Sequence, residues 1–323
     1  MKKQIALLLS IVFFTVALSA CNVRHRGESE DAPFRIVTTI FPEYDWVRTI
    51  LGDNPAGAEV SLLLDQGVDL HSYQPTAEVI RQIANCDLLV FVGGESDEWV
   101  KDVLDQNPDP HRQVINLMEL IRERLQEEVT VEGMEPEEED HDDDEEYDEH
   151  IWLSLNNAVA LCRDLCEFIE EMDPKNATLY RQNTENYVRE LNQLDSRYHS
   201  VVSASYVKTL VFGDRFPFRY LTEDYGLTYY AAFSGCSAET EASFATIQFL
   251  ANKVDQLGLT HLCTIEGKDH RIAETVRKNT RDKNQIIVSF DSMQSVTRQE
   301  IDRGATYLSI MEDNLKTLEE ALQ

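Results

Sequence analysis

The chain has 323 residues, 42% of them hydrophobic, and sets 59 Asp and Glu against 29 Lys and Arg for a formal charge of −30. A field of that sign repels phosphate backbones and concentrates cations, which excludes nucleic acid as a partner. There is apolar material for two ordinary domains, and past the first residues no apolar run reaches the roughly twenty residues of a membrane span.

Lys2 and Lys3 lead into an apolar stretch over 5–18, too short for a stable span, which ends in Leu18-Ser-Ala-Cys21. This is the pattern of a signal peptide (1–20) closed by a lipobox, with Cys21 acylated and the mature chain anchored at the extracytoplasmic face of the cell membrane. Residues 21–33 are polar and aperiodic, and read as a tether. From 34 to 172 the chain reads as a first α/β lobe. Phe34-Arg-Ile-Val-Thr-Thr-Ile-Phe is a buried strand, 44–51 has helical spacing, and 58–64 is a second strand. A helix follows over 76–84, beside Pro75, and Asp87-Leu-Leu-Val-Phe-Val-Gly is a third strand. Strand, helix and strand in this rhythm imply a parallel sheet.

The first lobe includes an acidic loop over 127–149. Twelve Asp and Glu fill the fifteen positions 135–149, around His141, and the run breaks into His150-Ile-Trp-Leu-Ser. So many charges cannot be buried, so the loop is expected to be solvated; beside a fixed imidazole it gathers cations, which points to metal capture. A helix over 156–172 stops before Asp173-Pro174, a long helix fills 173–205, and strands alternate with helices again from 206 to 323. The expected fold is α/β, two parallel-sheet lobes joined by one long helix, with no sequence repeat between them. Once Cys21 is lipidated, Cys86, Cys162, Cys166, Cys236 and Cys263 are an odd set that implies no disulfide framework. Cys162 and Cys166 lie one helical turn apart and read as small buried apolar residues.

Three ordered motifs are more specific. Val60-Ser-Leu-Leu-Leu-Asp-Gln-Gly-Val-Asp-Leu-His71-Ser-Tyr-Gln-Pro-Thr, Ala84-Asn-Cys-Asp-Leu-Leu-Val-Phe-Val-Gly93 and Asp148-Glu-His150-Ile-Trp-Leu-Ser resemble the cluster A-I substrate-binding lipoproteins of bacterial zinc and manganese ABC importers. Asp173-Pro174, Tyr225-Gly-Leu227 and Glu239-Thr-Glu241-Ala-Ser243 resemble further landmarks of that family in the same order. The resemblance covers nearly the whole mature chain. It implies a C-clamp of two lobes joined by a rigid helix, a metal between them, a monomer, and delivery of the ion to an ABC transporter permease.

Carried over residue by residue, the resemblance gives His71 and His150 as metal ligands, with Asp291 of Ser289-Phe-Asp291-Ser-Met at the family's aspartate position. Two imidazoles and a carboxylate suit Zn2+, with Mn2+ as the alternative ion. The chain departs from the family at the third ligand. The position where relatives carry histidine or glutamate falls on Arg215, whose guanidinium offers only donors. Asp214 from the adjacent place, Cys236 or a Glu of 239–241 from the next loop, or water could complete the set. Arg215 itself reads as a structural cation paired with Glu239, Glu241 or Glu266. His141 is expected to hold the ion transiently and pass it inward. Other functions compatible with the residues are a manganese or iron importer subunit, an adhesin of the same fold, or a zinc hydrolase with Glu266 as general base. Among enzymatic signatures there is no His-Glu-x-x-His, Gly-x-Ser-x-Gly or glycine-rich phosphate loop, so a non-catalytic protein is expected.

Overall fold

The computed structural model describes residues 33–135, 147–237, 241–267 and 269–323. The signal peptide, Cys21, His141 and Glu239 therefore lie outside the described residues. The first lobe alternates β1 (Arg35–Thr38), α1 (Phe41–Leu51), β2 (Glu59–Leu62), α2 (Ala77–Asn85), β3 (Leu88–Phe91), α3 (Glu98–Gln106), β4 (Gln113–Asn116) and α4 (Leu117–Leu120). Its four strands are all parallel, in the order β2-β1-β3-β4. After α5 (Leu155–Met172) and the 28-residue α6 (Ala177–Ala204) comes the second lobe. It consists of β5 (Thr209–Arg215), α7 (Arg219–Tyr225), β6 (Thr228–Phe233), α8 (Phe244–Leu257), β7 (His261–Ile265), α9 (Arg271–Asn279), β8 (Ile286–Phe290), α10 (Arg298–Asp302) and α11 (Tyr307–Ala321). Its sheet, again all parallel, has the order β6-β5-β7-β8.

The two sheets thus share one topology, although the sequence carries no repeat. In each, the chain steps from its first strand to one neighbour and then crosses to the other side, leaving a crevice outside the carboxyl ends of β1 and β3, or of β5 and β7. Open α/β sheets bind ligands at such switch points. The inner strands are buried because helices cover both faces: every residue of Leu88–Phe91 and of His261–Ile265 is buried, His261 and Thr264 included. At the end of β5 the register slips. Phe212 pairs with Ala231 but Arg215 with Phe233, so β5 carries one extra residue and its terminal side chains are re-aimed.

Helix α6 is about 42 Å long at 1.5 Å per residue. Tyr180, Thr184, Tyr187, Val188, Leu191, Leu194, Tyr198 and Val202 form a continuous buried stripe at helical spacing. That stripe packs on α1 and α5 of the first lobe and on α7 and α11 of the second. The lobes also meet directly. The Tyr307 hydroxyl donates to the Trp152 carbonyl at 2.6 Å, its backbone N–H donates to Asp45 at 2.9 Å, and the Trp152 indole donates to the Ser292 carbonyl at 2.8 Å. One hydrophobic core runs from Ile36 through Trp152 to Phe290 and Tyr307, and a smaller core lies around Val211, Ala251 and Val276.

Two elements of the first lobe were not legible from hydrophobic pattern. In β4 only Ile115 of Gln-Val-Ile-Asn is buried, and α3 follows a short turn without a strong start signal. Replacing Leu191, wholly buried on the α6 stripe, by alanine should destabilise the protein by about 2–5 kcal/mol. Urea unfolding measures this, and an unchanged midpoint would mean that the helix is not a structural spine.

Candidate metal centre

The loop after β2 makes a single tight turn, Leu70–Ser72, in which Asp69 Oδ1 accepts the His71 N–H at 3.0 Å and buried Leu70 pins the turn to the core. His71 Nδ1 lies 2.7 Å from Ser96 Oγ and 3.2 Å from Glu149 Oε1. Ser96 comes from the loop after β3, where Gly94 is required: a Cβ there would stand 2.0 Å from Glu149 Oε2. A carboxylate beside Nδ1 places the imidazole proton there and leaves the Nε2 lone pair free.

His150, completely buried, repeats the arrangement. Asp148 Oδ1 accepts both the His150 backbone N–H at 2.8 Å and Nδ1–H at 3.0 Å. The two Nε2 atoms then face each other across 3.2 Å. Burial disfavours a charged His150, yet Asp148 and Glu149 outweigh it and hold its pKa above the ordinary imidazole value. Burial likewise opposes ionisation of Glu149, but His71 and Ser96 bring its pKa below the usual carboxylate value.

The loop after β6 supplies a third donor. Ligand atoms of His71, His150 and Cys236 lie within 4.8 Å of one another, the one such group of His, Cys, Asp or Glu among the described residues. The Cys236 backbone N–H donates to Glu128 at 3.2 Å, and Gly235 passes so close to His150 that a Cβ would lie 3.0 Å from its ring. Gln294, in the loop after β8, closes the group: its Nε2 lies 3.2 Å from His71 Nε2 and also contacts His150 Nε2.

Two residues expected at the centre lie elsewhere. Asp291 does not join the imidazole pair. Its Oδ1 accepts the Met293 N–H at 2.8 Å, and Met293 adopts φ +62°, a left-handed turn that swings the chain so that Gln294 reaches the imidazoles instead. Burial and then Glu266 push the Asp291 pKa upward. Asp214 is also diverted: its Oδ2 accepts the Ile265 N–H at 3.3 Å and the Thr264 hydroxyl at 2.5 Å, fastening β5 to β7. Arg215 pairs with Asp69, not with Glu241 or Glu266, and reaches the Ser237 carbonyl at 3.5 Å. It ties the turn bearing His71 to the loop bearing Cys236. Beside this strut lies a cavity of about 330 Å³ bounded by Asp69, Asp214, Arg215, Ser237 and Glu266.

The structure thus brings the two imidazoles named from the sequence together with Cys236, weighed there as one of several completions, and with Gln294, Ser96, Asp148 and Glu149, which were not named as site residues. The signal for Asp148 and Glu149 was their place immediately before His150, and that for Cys236 its place after a glycine at a strand end.

The family model ZnuA, zinc-uptake complex component A periplasmic, matches residues 36–321. The chain is similar to the zinc-binding lipoprotein AdcA of Streptococcus pneumoniae (strain ATCC BAA-255 / R6), at 28% identity over 323 residues, 98% of this chain and 61% of AdcA. It thus spans about 61% of the length of that relative. It is also 25% identical over 331 residues to the high-affinity zinc uptake system protein ZnuA of Bacillus subtilis (strain 168), covering 99% of this chain and 98% of that protein. Among solved structures, the Zn(II)-bound ZnuA-like domain of Streptococcus pneumoniae AdcA superposes with a TM-score of 0.71 at 26% identity, over 90% of this chain and 99% of that one.

Because Asp148 fixes the His150 tautomer, Asp148→Asn should weaken binding of Zn2+ roughly 10–100-fold. Calorimetric titration tests this, and undiminished affinity would mean that the ring is oriented by its packing alone.

Proposed function

The chain belongs to the zinc-uptake complex component A family, and we propose that it captures Zn2+ outside the cytoplasm and delivers it to the permease of an ABC importer. The observation that carries this reading is the pair of facing Nε2 atoms, 3.2 Å apart, each with its opposite nitrogen engaged by a carboxylate. Two nitrogens bound at 2.0–2.1 Å to a tetrahedral zinc are about 3.3 Å apart, so the rings are already set for one ion. They stand on loops at the carboxyl ends of the first sheet, facing loops from the same end of the second. Nitrogen donors favour zinc over manganese. The zinc named for AdcA and ZnuA supports the same cargo.

In this reading residues 1–20 are a signal peptide, Cys21 carries the lipid and 21–33 form the tether. The lobes are 34–172 and 206–323, joined by the helix of 173–205, and the protein acts as a monomer. The lipoprotein named among its relatives supports the anchor. The acidic segment gathers cations at the entrance, with His141 as a transient holder. Its amino-terminal end is moored beside the centre, where the Glu135 N–H donates to the Ala232 carbonyl at 2.9 Å and Glu128 accepts from Cys236. The protein is a carrier and not a catalyst. Glu266, which could serve a hydrolase as base, accepts the Ser292 N–H at 2.7 Å and the Ser292 hydroxyl at 2.6 Å.

His71→Ala and His150→Ala should each abolish stoichiometric Zn2+ binding in calorimetry. Deleting 136–146, which spares Asp148 and Glu149, should keep one tight site and only slow capture; loss of that site would refute this division of labour. Protons compete with the ion for His150, whose pKa is raised. Affinity should therefore be full at high pH and fall as pH drops through that raised value, starting above the ordinary imidazole midpoint of about 6.5. Chelator competition across pH measures the onset, and a midpoint below the ordinary one would contradict the role of Asp148.

A further inference from the structure

We propose that Cys236 binds the metal as a thiolate and that Gln294 completes the shell through its amide oxygen, so that this chain holds a thiophilic divalent ion with two nitrogens, one sulfur and one oxygen. This rests on the reading of His71 and His150 as the metal pair.

Three independent features lead to Cys236. It is the one sulfur, carboxylate or further imidazole residue among the described residues that joins the two histidines within 4.8 Å. Its loop is fixed against the centre by the bond from its N–H to Glu128 and by the close passage of Gly235 over His150. Arg215 cannot ligate a cation, yet it bridges Asp69, which caps the His71 turn, and the Ser237 carbonyl, next to Cys236. The strand that offers no donor thus holds the neighbouring loop where a donor is present.

Gln294 gives a second line of evidence. It is 3% exposed, its NH2 group donates toward both Nε2 atoms, and its Oε1 is buried with no hydrogen-bond partner. A buried oxygen left unpaired costs about 1–3 kcal/mol. Two imidazole lone pairs aimed at one point require something positive there. The amide NH2 meets that need in the structure described, and a half-turn of the amide would present Oε1 to a cation at the same point.

Loading balances simply. The S–H bond of Cys236 breaks, sulfur keeps the electron pair for the metal, and the proton passes toward Glu149 Oε1, 3.7 Å from Sγ, and on to solvent. The shell then carries a single negative charge on sulfur, with Asp148 and Glu149 close behind the imidazoles to balance the rest. Thiolate ligation favours Zn2+, Cd2+ and Co2+ over Mn2+, so the sulfur sets the selectivity of this chain.

The test is a Co2+ titration of the full chain followed by absorption. One Co2+ per chain is expected, with the near-ultraviolet thiolate-to-cobalt charge-transfer band of a four-coordinate site. Cys236→Ser should lose that band and bind Zn2+ at least about tenfold more weakly. Gln294→Ala should keep the band and also lose affinity. One Co2+ bound without the band would overturn the thiolate assignment while leaving zinc capture intact. No binding by the unaltered chain would overturn both. If Cys236→Ser does not fold, cadmium-113 resonance of the unaltered chain decides the matter: a downfield, sulfur-ligated signal supports the assignment, and a nitrogen-and-oxygen signal refutes it.

Discussion

The arrangement depends on two unprotonated imidazole nitrogens held face to face at 3.2 Å inside the protein. Left to themselves, two lone pairs at that separation repel, and buried rings would turn or take up a proton. Glu149 and Ser96 behind one ring and Asp148 behind the other stop the rings from turning by engaging both Nδ1 atoms, and the same carboxylates favour a positive charge between the rings. The carboxylates fix the tautomers, the tautomers fix the lone pairs, and the lone pairs define where a cation can go. Gly94 follows from the same constraint, since a Cβ there would collide with Glu149, and at Gly235 a Cβ would press on the His150 ring.

The fold supplies the convergence. Four loops from equivalent sheet ends, after β2, β3, β6 and β8, bring His71, Ser96, Cys236 and Gln294 to one place, although these residues are scattered over more than two hundred positions. Duplicated topology explains why a metal can be approached from both sides. Loops from the carboxyl ends of both sheets meet at the imidazoles, which Gln294 and Cys236 of the second lobe approach. Arg215, which offers no lone pair, is a strut between two loops, and its charge is absorbed by Asp69.

How much of this was legible in the sequence depended on how local the determinant was. The buried strands announce themselves because a covered parallel strand is largely apolar, as in Leu88–Phe91. His71 and His150 could be named because each sits in a motif that resembles the family, whereas the groups behind the His71 ring, Ser96 and Glu149, come from distant loops. The fourth corner could not be named. Asp291 turns back to the Met293 N–H while Gln294 meets the imidazoles, and between them Met293 makes a left-handed turn at a non-glycine residue that no pattern of side chains signals. Asp214 was lost for a related reason, since the bulge in β5 is a register event between strands and its hydrogen bonds run to β7. The strand topology shared by the lobes also escaped the sequence, because strand order survives when every residue identity has changed.

The continuous core shared by the lobes restricts how an ion can leave. Parting the halves would strip Trp152, Tyr307 and Trp46, whose ring meets that of Tyr307 at 5.1 Å, of their cover, all 1% exposed or less. Each such side chain is worth about 1.5–3 kcal/mol, so a few of them approach the 5–15 kcal/mol that keeps a whole domain folded. A jaw-like opening is therefore too expensive to serve as an everyday exit. An exit that leaves the spine and both sheets in place avoids that cost.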